Sequence, residues 1–126
     1  MKEIDNIIIN KDYEIINTKG LISYGYLECL VGTKKIHIYA VTNSGSTMNQ
    51  IGITNIHIQR SSDNTNFNDE KTVSSDYAYN SNYYKNTNYE VSVLGGYYYR
   101  VVLDHYAYNG STSESIGHTS NSVWIA

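Results

Sequence analysis

GGYYYRVVLDHYAYNGSTSESIGHTSNSVWIA, residues 95–126, is the stretch whose reading decides the fold. Gly95-Gly96 is a turn signal, because glycine reaches positive φ without steric cost. Tyr97 to Tyr108 is aromatic and β-branched and has no helical spacing, so it reads as a strand. Alternate side chains of a strand share a face. Tyr97, Tyr99, Val101, Leu103 and His105 carry no formal charge and are expected inward. Tyr98, Arg100, Val102, Asp104, Tyr106 and Tyr108 hold both charges and are expected outward. Asn109-Gly110 opens the next turn. A polar loop then leads to a last strand near Asn121 to Ile125, with Val123 and Ile125 inward and Trp124 out of phase with them.

Upstream, Leu21 to Val31 is strand-like, with Leu27, Cys29 and Val31 on one face. Gly32-Thr33 is a turn. Lys35 to Thr42 follows as a strand with Ile36, Ile38 and Ala40 inward and His37 and Tyr39 outward. Asn43 to Gly52 reads as a polar loop. Ile53 to Ser61 is the next strand, Ile56 and Ile58 in phase and His57 and Gln59 opposite. Ser62-Asp63-Asn64 is a hairpin-type turn, and Phe67 is expected to re-enter the core. From Val73 to Val93, Tyr77 and Tyr79 alternate, as do Tyr89, Val91 and Val93, while NSNYYKNTN between them reads as a loop. Residues 1–20 form an N-terminal extension with one short strand at Asn6 to Asn10, docked on its own domain or on a neighbouring subunit. The remainder, 21–126, is one domain by size. No window shows a helical period. About seven strands at this turn spacing predict an all-β, Ig-like antiparallel sandwich.

Tyr99, Val101 and Leu103, followed by Asn109, Gly110 and Ser111, resemble strand F, the F–G loop and strand G of a fibronectin type III domain. In that class a strand-F tyrosine ties its hydroxyl to backbone at the sandwich corner, a role the resemblance gives to Tyr99 or Tyr97. Over residues 27–125, IGITNIHIQRSSDNTNF, GGYYYRVVLDHYAYNG, SES and SNSVWI are similar to a family of small secreted proteins of Gram-positive bacteria, Bacillus and clostridial relatives. That likeness implies fold and compartment, secreted or at the cell surface. It brings no activity or catalytic residue. The family's members usually carry an export signal, and none is expected in residues 1–20.

Composition narrows the classes. A net charge of −3 gives no basic stripe for nucleic acid and no attraction to an anionic membrane. The early apolar cluster Ile7-Ile8-Ile9 is too short for a membrane span. The single cysteine, Cys29, forms no internal bridge and reads as a small core residue. Tyrosine supplies 14 of 126 residues and proline none, a bias that an A/T-rich genome also produces through its codons.

Candidate chemistry is sparse. Zinc needs three or four converging ligands; His37 and His57 are expected on different sheets, and no His-x-His or Cys-x-x-Cys pair exists. DNTNFNDE is rich in oxygen but lacks the glycine and closing glutamate of an EF-hand loop. There is no G-x-S-x-G elbow, and acids are scattered. Neither enzyme, metal nor cofactor is expected. His105, inward, needs a partner, and Glu114 across the following loop is expected to accept its proton in a structural hydrogen bond. What remains is the outward set Tyr98, Arg100, Tyr106, Tyr108 and Trp124. Rings stack on apolar sugar faces, and tyrosine carries large contact area at low entropy cost. The sequence therefore suggests a non-enzymatic binding module for a glycan or protein. The alternative is a subunit of an extracellular or spore-surface fibre, a homo-oligomer assembled through its N-terminal strand.

Overall fold

The computed structural model describes residues 7–11 and 13–126. Those residues form nine strands and no helix. They are β1 (Ile8–Lys11), β2 (Glu14–Asn17), β3 (Ile22–Gly32), β4 (Lys35–Ser61), β5 (Asn68–Val73), β6 (Asp76–Ser92), β7 (Tyr97–Tyr108), β8 (Ser113–Thr119) and β9 (Val123–Ile125). All pairings are antiparallel and all lie in one sheet, which runs β1-β2-β3-β4-β7-β8. β5 and β6 pair with β4, and β9 pairs with β7.

β4 organises this sheet. Along one edge it pairs with β6 and then β5. Along the other it pairs with β3 from Lys35 to Ser44 and with β7 from Gln50 to Ser61. The change of partner falls at exposed Gly45, Ser46 and Thr47, where the β6 register also slips between Asn43 and Met48. Extra residues in one strand of a pair bend that strand and increase its twist. A second slip, between Thr54 and His57, encloses Asn55 at φ +48°, a left-handed conformation that asparagine tolerates. The bends curl the sheet into a half-barrel, with β3 packed against β7, β8 and β9.

The inward alternation fills this curl. Leu27 and Cys29 of β3, Ile36, Ile38, Ile51, Ile53, Ile56 and Ile58 of β4, Tyr99, Val101 and Leu103 of β7, and Ile125 of β9 are each at most 1% exposed. Fully burying one such aliphatic side chain contributes about 1.5–3 kcal/mol. Gly25 sits where β3 crosses β7. A Cβ there would stand 2.7 Å from Cδ2 and Nε2 of the His105 ring, so only glycine permits this approach.

Several expectations are corrected. The seven-strand, two-sheet arrangement is replaced by one curled sheet of nine strands among the described residues. The expected loop from Asn43 to Gly52 is continuous β4, and NSNYYKNTN lies within β6. Its polar side chains face solvent while backbone pairing to β4 holds the strand, with Tyr84 buried and its hydroxyl donating to Asp76 Oδ2 at 2.7 Å. Phe67 does not enter the core; it lies under the Arg100 guanidinium, 4.1 Å from the ring centroid. Val31 is 60% exposed, because the hairpin tip carries it past the covered part of the sheet. The N-terminal strand is Ile8–Lys11, and Asn6 lies outside the described residues. β2 also joins the sheet, burying Ile15 and Asn17.

Where the curl brings its ends together, side chains replace ladder bonds. Asn121 accepts from Cys29 N and donates to Cys29 O, both at 2.9 Å. Glu114 of β8 accepts from Ile22 N at 2.8 Å and from Asn17 Nδ2 at 3.3 Å. Asn121→Ala orphans both polar groups of Cys29 at a seam with no other strand to take them. We expect a loss of about 1–3 kcal/mol in urea unfolding, and an unchanged midpoint would show that the seam does not hold the curl.

Candidate functional site

The outward side chains of β7 do not form one site. Tyr98 pairs across the ladder with Trp124, their rings edge-to-face at 4.9 Å. Tyr106 meets Tyr77 of β6 edge-to-face at 5.9 Å, and Tyr79 continues the row at 6.3 Å from Tyr77. These two groups stand about 26 Å apart along β7 at the usual strand rise. Arg100 lies between them, its Nε donating to Gln59 Oε1 at 2.7 Å and its guanidinium stacked on Phe67. It is already engaged within the chain. The Tyr108 hydroxyl donates to Gly110 O at 3.0 Å and pins its own turn. The structure thus brings Tyr98 with Trp124, and separately Tyr106 with Tyr77 and Tyr79.

A third aromatic group, not singled out from the sequence, covers the outer side of β3 and the first half of β4. Tyr24 and Tyr26 of β3 and Tyr39 of β4 surround Val41 in a shallow depression of about 340 Å³. The Tyr26 and Tyr39 rings meet edge-to-face at 5.3 Å, and Tyr13 adds a ring 6.1 Å from Tyr26. Burial and the neighbouring Glu14 carboxylate raise the Tyr24 phenol, and Tyr26 donates to Glu28 Oε1 at 2.9 Å. Burial, with the adjoining carboxylate of Glu28, pushes the Tyr26 phenol up to about 12. The signal was present in the alternation Tyr24-x-Tyr26-x-Glu28 and Tyr39-x-Val41. It needed the register Tyr26↔Val41 and Glu28↔Tyr39 to become a patch.

The residues assigned structural roles behave differently from one another. The Tyr99 hydroxyl donates to Leu94 O, five residues upstream, at 2.7 Å. His105 is fully buried, but its partner is not Glu114. In the β7–β8 register Glu114 opposes Ala107, and its carboxylate is spent on Ile22 and Asn17. His105 Nδ1 instead lies 2.7 Å from Thr42 Oγ1, and His105 Nε2 lies 2.9 Å from His118 Nδ1. Thr42 donates to Gly52 O at 3.1 Å, a carbonyl that can only accept. The protons therefore run one way: His118 Nδ1–H to His105 Nε2, His105 Nδ1–H to Thr42 Oγ1, and Thr42 to Gly52 O.

Other reactive groups are similarly committed. Burial, with the Glu28 charge beside it, pushes the Cys29 thiol up to about 12, so it is held protonated and is no nucleophile at neutral pH. His37 and His57 both belong to β4, not to separate sheets, and face Glu90 at 3.5 Å and Asp69 at 3.8 Å. The Asp63 carboxylate accepts from Thr65 N, Asn66 N and Asn66 Nδ2, each at 2.9 Å, and from Ser61 Oγ at 2.8 Å, which makes it a turn clasp. Among the described residues no three His, Cys, Asp or Glu side chains converge as metal ligands.

Comparisons with family models, with curated proteins and with solved structures return no match to this chain.

The histidine chain sets a pH dependence. Burial lowers His105 to about 3, with the neighbouring His118 adding to the shift, and burial lowers His118 to about 4. Both are neutral when folded and free to protonate near 6.5 when unfolded. Below pH 6.5 the unfolded chain binds more protons, so stability falls as pH drops from 6.5 towards 4, by up to about 1.4 kcal/mol per pH unit for each proton. His118→Gln should flatten the slope of unfolding free energy between pH 4.5 and 6.5; an unchanged slope would assign the acid sensitivity elsewhere.

Proposed function

We propose that this chain is a non-catalytic recognition module, working outside the cell or at its surface, that holds a glycan or a protein on aromatic side chains of its outer sheet face. The observation that carries this reading is Trp124, 48% exposed and braced edge-on by Tyr98 on a strand rather than a loop. A large ring held rigidly in water offers contact area with little entropy left to lose on binding. The row Tyr106, Tyr77 and Tyr79 repeats the arrangement on the same face, with Tyr79 65% exposed. The likeness of the β7 hairpin to an Ig-like or fibronectin type III-like strand pair belongs to this reading. It is supported by the Tyr99 tie to Leu94 and by the turn at Asn109, whose Oδ1 accepts from Thr112 N at 2.8 Å. Replacing Tyr106 and Trp124 together by alanine should weaken binding in a glycan and partner screen at least tenfold, about 1.4 kcal/mol. Unfolding free energy should move by no more than about 1 kcal/mol for each aromatic pair lost. Unaltered binding would remove the β7 face from the reading.

A second reading is self-assembly into a fibre, favoured by the outermost strand. Ile7, Ile8 and Ile9 are 45%, 50% and 42% exposed, and β1 ends the sheet order. An apolar edge strand is a template for strand addition from another copy. Deleting residues 1–20 would also strip Ile15 and Asn17 from the interior, so a point change is the cleaner test. Ile9→Lys should convert concentration-dependent oligomers to monomer in light scattering. Wild-type protein that stays monomeric at every concentration, or oligomers that survive the change, would exclude this reading.

A further inference from the structure

We infer that the depression between β3 and β4, lined by Tyr24, Tyr26, Tyr39 and Val41, is a binding site for a neutral saccharide. The inference rests on the recognition reading above and adds to the β7 face a second, separate contact surface on the other half of the sheet, with a ligand of its own.

The floor comes first. Val41 is 9% exposed at the centre of the patch, with three rings around it. A ligand that fits must present an apolar face. The rim comes next, and it is rich in acceptors. Tyr26 has turned its hydroxyl proton toward Glu28, so its phenol oxygen presents lone pairs, and the Glu14 carboxylate stands beside Tyr24. An ionised carboxylate has about four acceptor positions, and one phenol fills only one of them. The ligand must therefore carry several O–H or N–H groups.

Charge separates the remaining classes. Glu14 and Glu28 bring two negative charges. Lys85, its Nζ 5.8 Å from the Tyr39 centroid, brings a positive one. The rim therefore offers no surplus positive charge to a phosphate or acidic ligand. An organic cation would meet an ammonium already seated by Tyr39. A pyranose satisfies every condition: an apolar C–H face for the rings, equatorial hydroxyls as donors for the rim, and no net charge. The depression is open and shallow, which suits one or two units of a chain lying across the sheet.

The test is a titration of the full chain, followed by NMR amide shifts, with cellohexaose, maltohexaose, laminarihexaose and N-acetylchitohexaose, and with tetramethylammonium as a charged control. At least one oligosaccharide should give saturable shifts confined to residues of β2, β3 and the first half of β4. Tyr39→Ala should weaken it at least tenfold. Glu28→Gln, which keeps the volume of the side chain, should weaken it severalfold while leaving the melting temperature unchanged. The Tyr106→Ala, Trp124→Ala double variant, which alters only the β7 face, should bind that oligosaccharide at this site as wild type does. Saccharide binding lost only in that double variant would overturn this site while preserving the recognition reading. Tetramethylammonium shifting these residues while every sugar is silent would overturn the ligand class. Silence of all the probes at millimolar concentration would overturn the inference altogether.

Discussion

A single strand has to cross the whole molecule twice. β4 is 27 residues long, and at the usual rise it would span about 90 Å if straight. A compact chain of this size has a radius of gyration of roughly 14 Å. β4 must therefore fold over, and every neighbour inherits the bend. β3 and β7 lie on the same edge of β4, one before the bend and one after it, so folding β4 brings them face to face. That is why a single hydrogen-bonded sheet makes an interior that otherwise takes two sheets. It is also why the core draws most of its aliphatic volume from β4.

The cost of this solution appears at the seam and at the crossing. A half-barrel leaves backbone groups facing each other without a shared ladder, and unpaired buried amides and carbonyls are expensive. Asn121 and Glu114 satisfy them with side chains, which work only in one register. At the crossing, the close approach of Gly25 leaves room for the edge of an imidazole. The chain His118, His105, Thr42, Gly52 fills the space with a polar row in which each buried donor meets an acceptor. Protonating His105 would turn its Nε2 from an acceptor into a donor aimed at the His118 donor, and charging either buried ring is penalised by desolvation, so the row rigidifies the core at neutral pH and weakens it in acid.

The outer face carries what the inner face excludes. Only Tyr84 and Tyr99 of the 14 tyrosines are buried. Most of the rest stand in ring-to-ring contacts, in three separate groups on the outer face. Cross-strand aromatic pairs stabilise a sheet by a few tenths to about 1 kcal/mol each, so part of this arrangement is structural. Engagement sorts the remainder. Arg100, stacked on Phe67 and bonded to Gln59, is consumed by the fold, whereas Trp124 and the patch around Val41 retain faces and acceptors turned to water.

The period-two alternation in the sequence by itself determined which side chains of β3, β7 and the two ends of β4 point inward. Tyr99, Val101, Leu103 and His105 are buried because alternation follows from strand geometry, which is local. The turns at Gly95-Gly96 and Asn109-Gly110 were legible for the same reason: φ preference belongs to the residue. Tertiary structure alone decided the rest. NSNYYKNTN and the stretch from Asn43 to Gly52 are too polar to read as strands, yet pairing of β4 with β6 makes them so, because a ladder bonds backbone and is indifferent to side chains that face solvent. The partners of His105 and Glu114 also lay beyond the sequence. Thr42 and His118 meet His105, and Ile22 meets Glu114, across separations that only the curl of β4 closes.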